Sequence, residues 1–249
     1  MSIENPLWGV DVSSHQGNVD WGQVAHEGYS WMVSKATEGT YYKNPYHMDS
    51  MLRARKAGLV RGAYHWLTNG DSKKQLDNFL SVAGDDFEGK LIMVDVEAEP
   101  YPDVDFDPRF SDVEAFVEGL RGRIGEHPIL IYSGAWYWHG NLGNPSLKNL
   151  VDNYQVKVWN AHYVSGAGYA SVLYKSVPKV WWTKNCWGGQ RPTILQFTSS
   201  ARVAGQYMDA NAFPGTREEL GALTSRTTYD VLLEDSGQKG AQEIRMRPF

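Results

Sequence analysis

Asp95-Val96-Glu97 follows directly on the apolar run Leu91-Ile92-Met93-Val94. Side chains two apart on an extended chain point to the same side, so these carboxyl groups can flank one bond. Glycoside hydrolysis needs such a pair: one acid protonates the leaving oxygen and one anion stabilises an oxocarbenium-like centre. Glu97, with the longer reach, suits the proton donor. Asp95, nearer the strand, suits the anion. Two further carboxylates fall near apolar runs. Asp11 lies in Gly9-Val10-Asp11-Val12-Ser13-Ser14-His15-Gln16-Gly17, and Asp209 in Met208-Asp209-Ala210-Asn211, after the run that ends in Gln196-Phe197. If strands carry all four to one rim, like charges raise one another's pKa and keep at least one protonated near neutral pH. An Asp-x-Glu triplet alone is more often solvated or paired with Lys or Arg. The buried run before this one, and the acidic, proline-containing stretch 99–108 after it, favour chemistry.

Other chemistries are less well supplied. His15 and His65 fall at strand ends and could bind a metal with Asp11 and Asp95. No His-x-His or His-Glu-x-x-His spacing accompanies them, and such histidines are more often hydrogen-bonded structural residues, so no metal is expected. Ser133 in Tyr132-Ser133-Gly134 lacks the Gly-x-Ser-x-Gly elbow of a serine hydrolase. Cys186 is the single cysteine and reads as an inert thiol. No glycine-rich phosphate loop is present, and no cofactor is expected.

The elements that must position the carboxylates read as alternating strands and helices. Strands are expected at Leu7 to Val12, Ser30 to Ser34, Val60 to Trp66, Leu91 to Val96, Ile129 to Tyr132, Val156 to Trp159 and Thr193 to Phe197. Several are apolar almost throughout, as parallel strands covered on both faces are. Leu76, Phe79, Leu80 and Ala83 recur at helical spacing, as do Val113, Phe116, Val117, Leu120 and Ile124, and then Leu147, Leu150, Val151 and Tyr154. Ser111 with Glu114 and Thr216 with Glu219 have the spacing of capping boxes. Such alternation over 249 residues predicts a TIM-like β/α barrel, whose chemistry sits at the C-terminal strand ends. The barrel is expected over 1–223. Residues 224–249 are expected to be a hairpin, a linker or the start of a truncated second domain.

The formal net charge of -5 argues against a nucleic-acid binder working through a broad basic surface. No run approaches a membrane span. The chain carries 10 Trp and 14 Tyr. Tyr64, Trp66, Tyr132, Trp136, Trp138, Trp159 and Tyr163 lie at or just past strand ends, where stacking on sugar rings and packing in the core are both open.

Five segments together resemble the glycoside hydrolase family 25 muramidases, the Chalaropsis-type lysozymes that include many phage endolysins. They are Gly9 to Gly17 with Val19-Asp20-Trp21; Lys35-Ala36-Thr37-Glu38-Gly39-Thr40; Ala57-Gly58-Leu59 with Gly62-Ala63-Tyr64-His65-Trp66; Val94-Asp95-Val96-Glu97; and Gln196-Phe197-Thr198 with Asp209-Ala210-Asn211-Ala212-Phe213. The resemblance implies an irregular β/α barrel, with few or short helices in its C-terminal half. It implies cleavage of the β-1,4 bond between N-acetylmuramic acid and N-acetylglucosamine in peptidoglycan. Glu97 would be the general acid, Asp95 the second catalytic carboxylate, and Asp11 and Asp209 would line the same pocket. Tyr64, Trp66, Tyr132, Trp159 and Gln196 would contact sugar, and Lys35 would pair with the carboxylates or with Glu38. The polar start at Met1 to Pro6 carries no secretory signal. That suits a phage endolysin made in the host cytoplasm and released by a holin, and a bacterial lysozyme without its leader reads the same. The expected partner is peptidoglycan, and the expected state a monomer.

Overall fold

The computed structural model describes residues 3–98 and 106–225. The strands are β1 (Leu7–Val12), β2 (Tyr29–Glu38), β3 (Tyr42–Lys43), β4 (Val60–Trp66), β5 (Lys90–Asp95), β6 (Ile129–Gly134), β7 (Val156–Ala161), β8 (Ile194–Val203) and β9 (Gln206–Phe213). Among the described residues eight of them close a ring in the order β1-β2-β4-β5-β6-β7-β8-β9. Pairing is parallel from β1 to β8. β9 is antiparallel to both its neighbours, and β3 is a short flap on β2. The fold is thus the expected α/β barrel of mostly parallel strands.

The helices are α1 (Trp21–His26), α2 (His47–Lys56), α3 (Ser72–Ala83), α4 (Phe110–Ile124), α5 (Ala135–Gly140), α6 (Lys148–Tyr154), α7 (Ala170–Leu173), α8 (Val180–Thr183) and α9 (Arg217–Gly221). The four-residue α7 and α8 match the few or short helices expected in the C-terminal half. Thr216 and Glu219 form the expected capping box, with bonds of 3.1 and 2.7 Å. The box expected from Ser111 and Glu114 is corrected. The N-cap is Arg109, two residues before Ser111, and the Asp112 carboxylate accepts from the Arg109 N–H at 2.8 Å. An acid in the first turn satisfies an otherwise unpaired amide and meets the positive end of the helix dipole.

The two-residue period of the strands sorts the side chains into layers. On β5, Leu91 and Met93 point into the barrel with Trp31, Val33, Leu130 and Trp159. Ile92, Val94 and Val96 point out against Leu76, Phe79, Phe116 and Leu120 of α3 and α4. The same period aims Asp95 inward at the rim. Gly9 makes the interior possible. A Cβ there would lie 2.1 Å from the Trp31 ring, so only glycine lets that indole cross the barrel. Leu220 and Leu223 close the floor. The Thr224 carbonyl accepts from Gly89 N–H at 2.7 Å, so packing continues past residue 223. The hairpin, linker or second domain considered for 224–249 lies, from residue 226 on, outside the described residues.

Candidate active site

Each carboxylate reaches the rim by strand register. Asp11 on β1 is the direct cross-strand partner of Asp209 on β9. Asp95 on β5 lies beside Trp66 on β4 and Tyr132 on β6. Glu97 continues the inward series two residues beyond Asp95. After β1 the chain turns sharply through Ser14–Gln16. Gln16 Oε1 accepts from the Ser13 N–H at 2.9 Å, and Gly17 takes φ +58°. That turn sets Ser13, Ser14 and His15 along the wall of a cleft of about 550 Å³. Lys35, Glu38, Tyr41, Tyr42, Tyr64, Trp66 and Phe106 complete the lining. This is the size and polar-aromatic character of a saccharide-sized site.

Lys35 pairs with Glu38, settling one of its two expected partners. Its ammonium stands 4.4 Å from the Trp66 ring centroid and 5.6 Å from that of Tyr42. Glu38 also accepts from the Tyr41 hydroxyl at 2.8 Å. A β-bulge at Lys35 and Thr37 lets consecutive stretches of β2 serve different layers. Lys35 enters the cleft, while Thr37 bonds His65 Nδ1 at 2.8 Å outside the ring. His65 is buried, bonded also to Gln75 at 3.2 Å and stacked on Phe116 at 4.8 Å. It is a structural residue, and burial holds its pKa down to about 3.

A hydrogen-bonded network lies under the carboxylates. Asp11 Oδ2 accepts from Gln196 Nε2 at 2.8 Å and from Asn211 Nδ2 at 2.7 Å. Gln196 Oε1 accepts from the hydroxyls of Tyr132 at 2.8 Å and Tyr163 at 2.5 Å. Asn211 Oδ1 accepts from Trp159 Nε1 at 2.8 Å. Trp159 has no exposed surface, so its expected sugar contact is corrected: it works from below, through Asn211. Tyr132 and Gln196 are likewise buried and brace Asp11, whereas Tyr64, Trp66 and Lys35 line the cleft. Trp136 and Tyr163 form a half-exposed aromatic pair past β6 and β7, with centroids 6.1 Å apart. Trp138 is buried outside the ring, stacked on Trp187 at 4.4 Å.

The electrostatics follow from burial. Desolvation raises Glu97 to about 7, and the negative charge of Asp11 adds to the rise. Lys35 and a hydrogen bond with Asp95 oppose it. Asp95 is pushed higher, by burial first and by Glu97 second, with Lys35 again opposing. Asp209 is raised by burial and by Asp11, and Asp11 is raised by burial but drawn back by its two amide donors. Asp95 and Glu97 therefore act as a pair holding one proton near neutral pH. The Asp95 Oδ1 atom is buried and makes no hydrogen bond among the described residues. Among the described residues no group of three or more His, Cys, Asp or Glu is placed to hold a metal ion. Cys186 is half-buried, its thiol raised to about 11 by desolvation, which is the expected inert form.

Phe106 and Tyr41 on the cleft wall, and Asn211 as a brace, were not among the residues expected at the site. Asn211 was detectable, since it shares the inward face of its strand with Asp209.

A barrel with two coupled carboxyl groups at its C-terminal rim, beside an aromatic-lined cleft, defines a glycoside hydrolase. Residues 10–206 match the model of the glycosyl hydrolases family 25, and the chain belongs to that family. It is 27% identical over 229 residues to Lysozyme M1 of Streptomyces globisporus, spanning 88% of this chain and 71% of that protein. Its fold is similar to that of a bacterial lysozyme from Streptomyces coelicolor, with TM-score 0.70 and 27% identity over 89% of this chain and 98% of that one. It is also similar to a family GH25 lysozyme from Aspergillus fumigatus, with TM-score 0.71 and 26% identity over 89% of this chain and all of the other.

Proposed function

We propose that the protein is an N-acetylmuramidase that cleaves the β-1,4 bond from N-acetylmuramic acid to N-acetylglucosamine in peptidoglycan, with retention of configuration. The observation that carries the mechanism is the Asp95–Glu97 pair: a buried and a partly buried carboxyl, both with raised pKa, and one Asp95 oxygen without a partner among the described residues. The N-acetylmuramic acid residue carries a 2-acetamido group. Its N–H donates to Asp95, and a hydrogen bond to the charged form favours the anion. The shared proton then resides on Glu97, beside the leaving oxygen. Glu97 protonates that oxygen as the acetamido carbonyl oxygen attacks the anomeric carbon from the opposite face. An oxazolinium forms, stabilised by the Asp95 anion. Water then opens it, losing its proton to the Glu97 carboxylate, and two inversions leave the configuration retained.

The alternative is a covalent bond from Asp95 to the anomeric carbon. Asp95 ends β5 and Glu97 follows two residues on, so the two stand side by side and do not face each other across a sugar, which favours the assisted route. A fluoro-sugar substrate separates the two, since an adduct on Asp95 would reject the assisted step. Glu97→Gln should bind cell-wall glycan and not turn it over; near-normal turnover in that variant would reject the whole assignment. An endolysin role, with synthesis in a host cytoplasm and release through a holin, belongs to this proposal. Co-expression should give lysis only when a membrane pore is supplied, and lysis without one would reject it.

A further inference from the structure

Under the carboxylates, the donor-only chemistry of one buried indole decides the orientation of a chain of amides. We propose that Trp159 is a positioning residue for the reaction: its N–H fixes the Asn211 amide, so that Asp11 is held as an anion facing Glu97. The inference rests on Glu97 being the acid.

An indole N–H can only donate. With Trp159 Nε1 2.8 Å from Asn211 Oδ1, the Asn211 carbonyl must face Trp159, and its NH₂ must face Asp11 Oδ2 at 2.7 Å. The second arm does not have this property. Gln196 is held by the Tyr132 and Tyr163 hydroxyls, which can donate or accept, so it could turn over and offer its oxygen to a protonated Asp11. The Trp159 arm cannot turn, so Oδ2 always meets a donor, which favours the charged carboxylate and leaves only Oδ1 for a proton. All three of Trp159, Asn211 and Gln196 are buried, so no water can replace a lost donor cheaply. Both amides bond the same oxygen, Oδ2, which leaves Asp11 Oδ1 for substrate. Trp159 is itself held edge-on by Trp31 at 5.2 Å and Tyr132 at 6.3 Å, and Trp31 is admitted by Gly9.

The other groups facing this cluster are Asp209 from β9, Asp95 from β5, Lys35 from β2, Tyr64 from β4, Tyr132 from β6 and Tyr163 beyond β7. Of these Lys35 alone is a cation, and it already serves Glu38. Against burial, Asp11 is therefore drawn toward its anion first by its two amide donors and then by its own backbone N–H.

Trp159→Phe keeps a ring in the barrel and removes only the N–H end. Two readouts apply: ¹³C-carboxyl titration of Asp11 and Glu97, and the pH profile of kcat and KM on a soluble peptidoglycan glycan. The expected result is Asp11 titrating higher and Glu97 lower, each by roughly half a pH unit or more, with kcat down about tenfold and KM within about twofold. A variant with unchanged carboxyl titrations, changed only in melting temperature, would show Trp159 to be structural and overturn the proposal. If Trp159→Phe does not fold, Asn211→Ala decides by the same criteria, because it removes the donor and leaves the indole. Wild-type protein that cleaves no glycan would reject the muramidase reading, while the carboxyl titrations would still decide the relay.

Discussion

Replacing Glu97 by Gln should make the protein more stable at alkaline pH even as it stops the chemistry. Burial and the Asp11 charge lift the Glu97 carboxyl from an ordinary 4.5 to about 7 in the folded chain. Below pH 4.5 the group is protonated in both states and contributes no difference. From there to about pH 7 the unfolded chain has released a proton that the folded chain still holds, so stability falls as pH rises. Above pH 7 both states are ionised and the loss is complete. At about 1.4 kcal/mol per pKa unit the full loss is about 3 kcal/mol. Glutamine has nearly the same shape and no charge, so the variant escapes it. Removing Glu97 also relieves the repulsion on Asp95, which acts in the same direction. Urea unfolding at pH 4, 6 and 8, followed by tryptophan fluorescence, measures the difference. The advantage of the variant should grow by about 2–3 kcal/mol from pH 4 to pH 8, with the urea dependence unchanged. A difference that stays flat across this range would mean that Glu97 is not buried among like charges, and the proton-sharing pair would fall with it.

Wild-type kcat/KM should decline above about pH 7 by roughly tenfold per pH unit as Glu97 ionises in the free enzyme, read from initial rates of reducing-end release. Gly9→Ala would place a methyl 2.1 Å from the Trp31 ring, and a displaced indole should destabilise the barrel by roughly 1–3 kcal/mol. Calorimetry should then record a Tm lower by roughly 3–10 °C. Phe106→Ala, on the cleft wall beside Tyr41, should raise KM severalfold and leave kcat nearly unchanged, because it removes a surface that touches substrate away from the reacting bond.

The parallel half of the barrel was legible because its strands are apolar on both faces. Leu7–Val12 and Val60–Trp66 coincide with their sequence patterns, and β2, β6, β7 and β8 run further than their apolar cores suggest. β9 was not read as a strand because its polarity is inverted. Met208, Ala210 and Ala212 face outward into a hydrophobic layer, while Asp209 and Asn211 face the catalytic interior. Its hairpin also lacks the usual turn residues. Ala204 and Gly205 take φ of +48° and +80°, a two-residue turn that usually carries Asn-Gly. The strain at Ala204 is compensated from a distance, by the Glu27 carboxylate accepting its N–H at 3.1 Å.

Of the site, Asp11, Asp95 and Glu97 followed from strand ends and spacing, whereas Asp209, inside the unread β9, stood out only as a carboxylate in an otherwise apolar stretch. What lay beneath them did not. Whether an aromatic at a strand end faces sugar or core depends on its height in the barrel and on what lies above it, not only on which face of the strand it takes. Tyr64 lines the cleft, while Trp159, on the same inward face, is sealed under Asn211. Between β7 and β8, Trp182 and Trp187 are packing residues. Trp182 donates to the Tyr174 hydroxyl at 3.0 Å, and Trp187 to Asn160 Oδ1 at 2.8 Å.

The central claim is tested most directly by the sugar at the new reducing end. Purified peptidoglycan is digested, reduced with borohydride and hydrolysed, and the amino-sugar alcohols are identified by mass spectrometry. The account predicts muramicitol from the wild-type digest and none above background from Glu97→Gln. Glucosaminitol as the new end, or muramicitol released equally by Glu97→Gln, would contradict it.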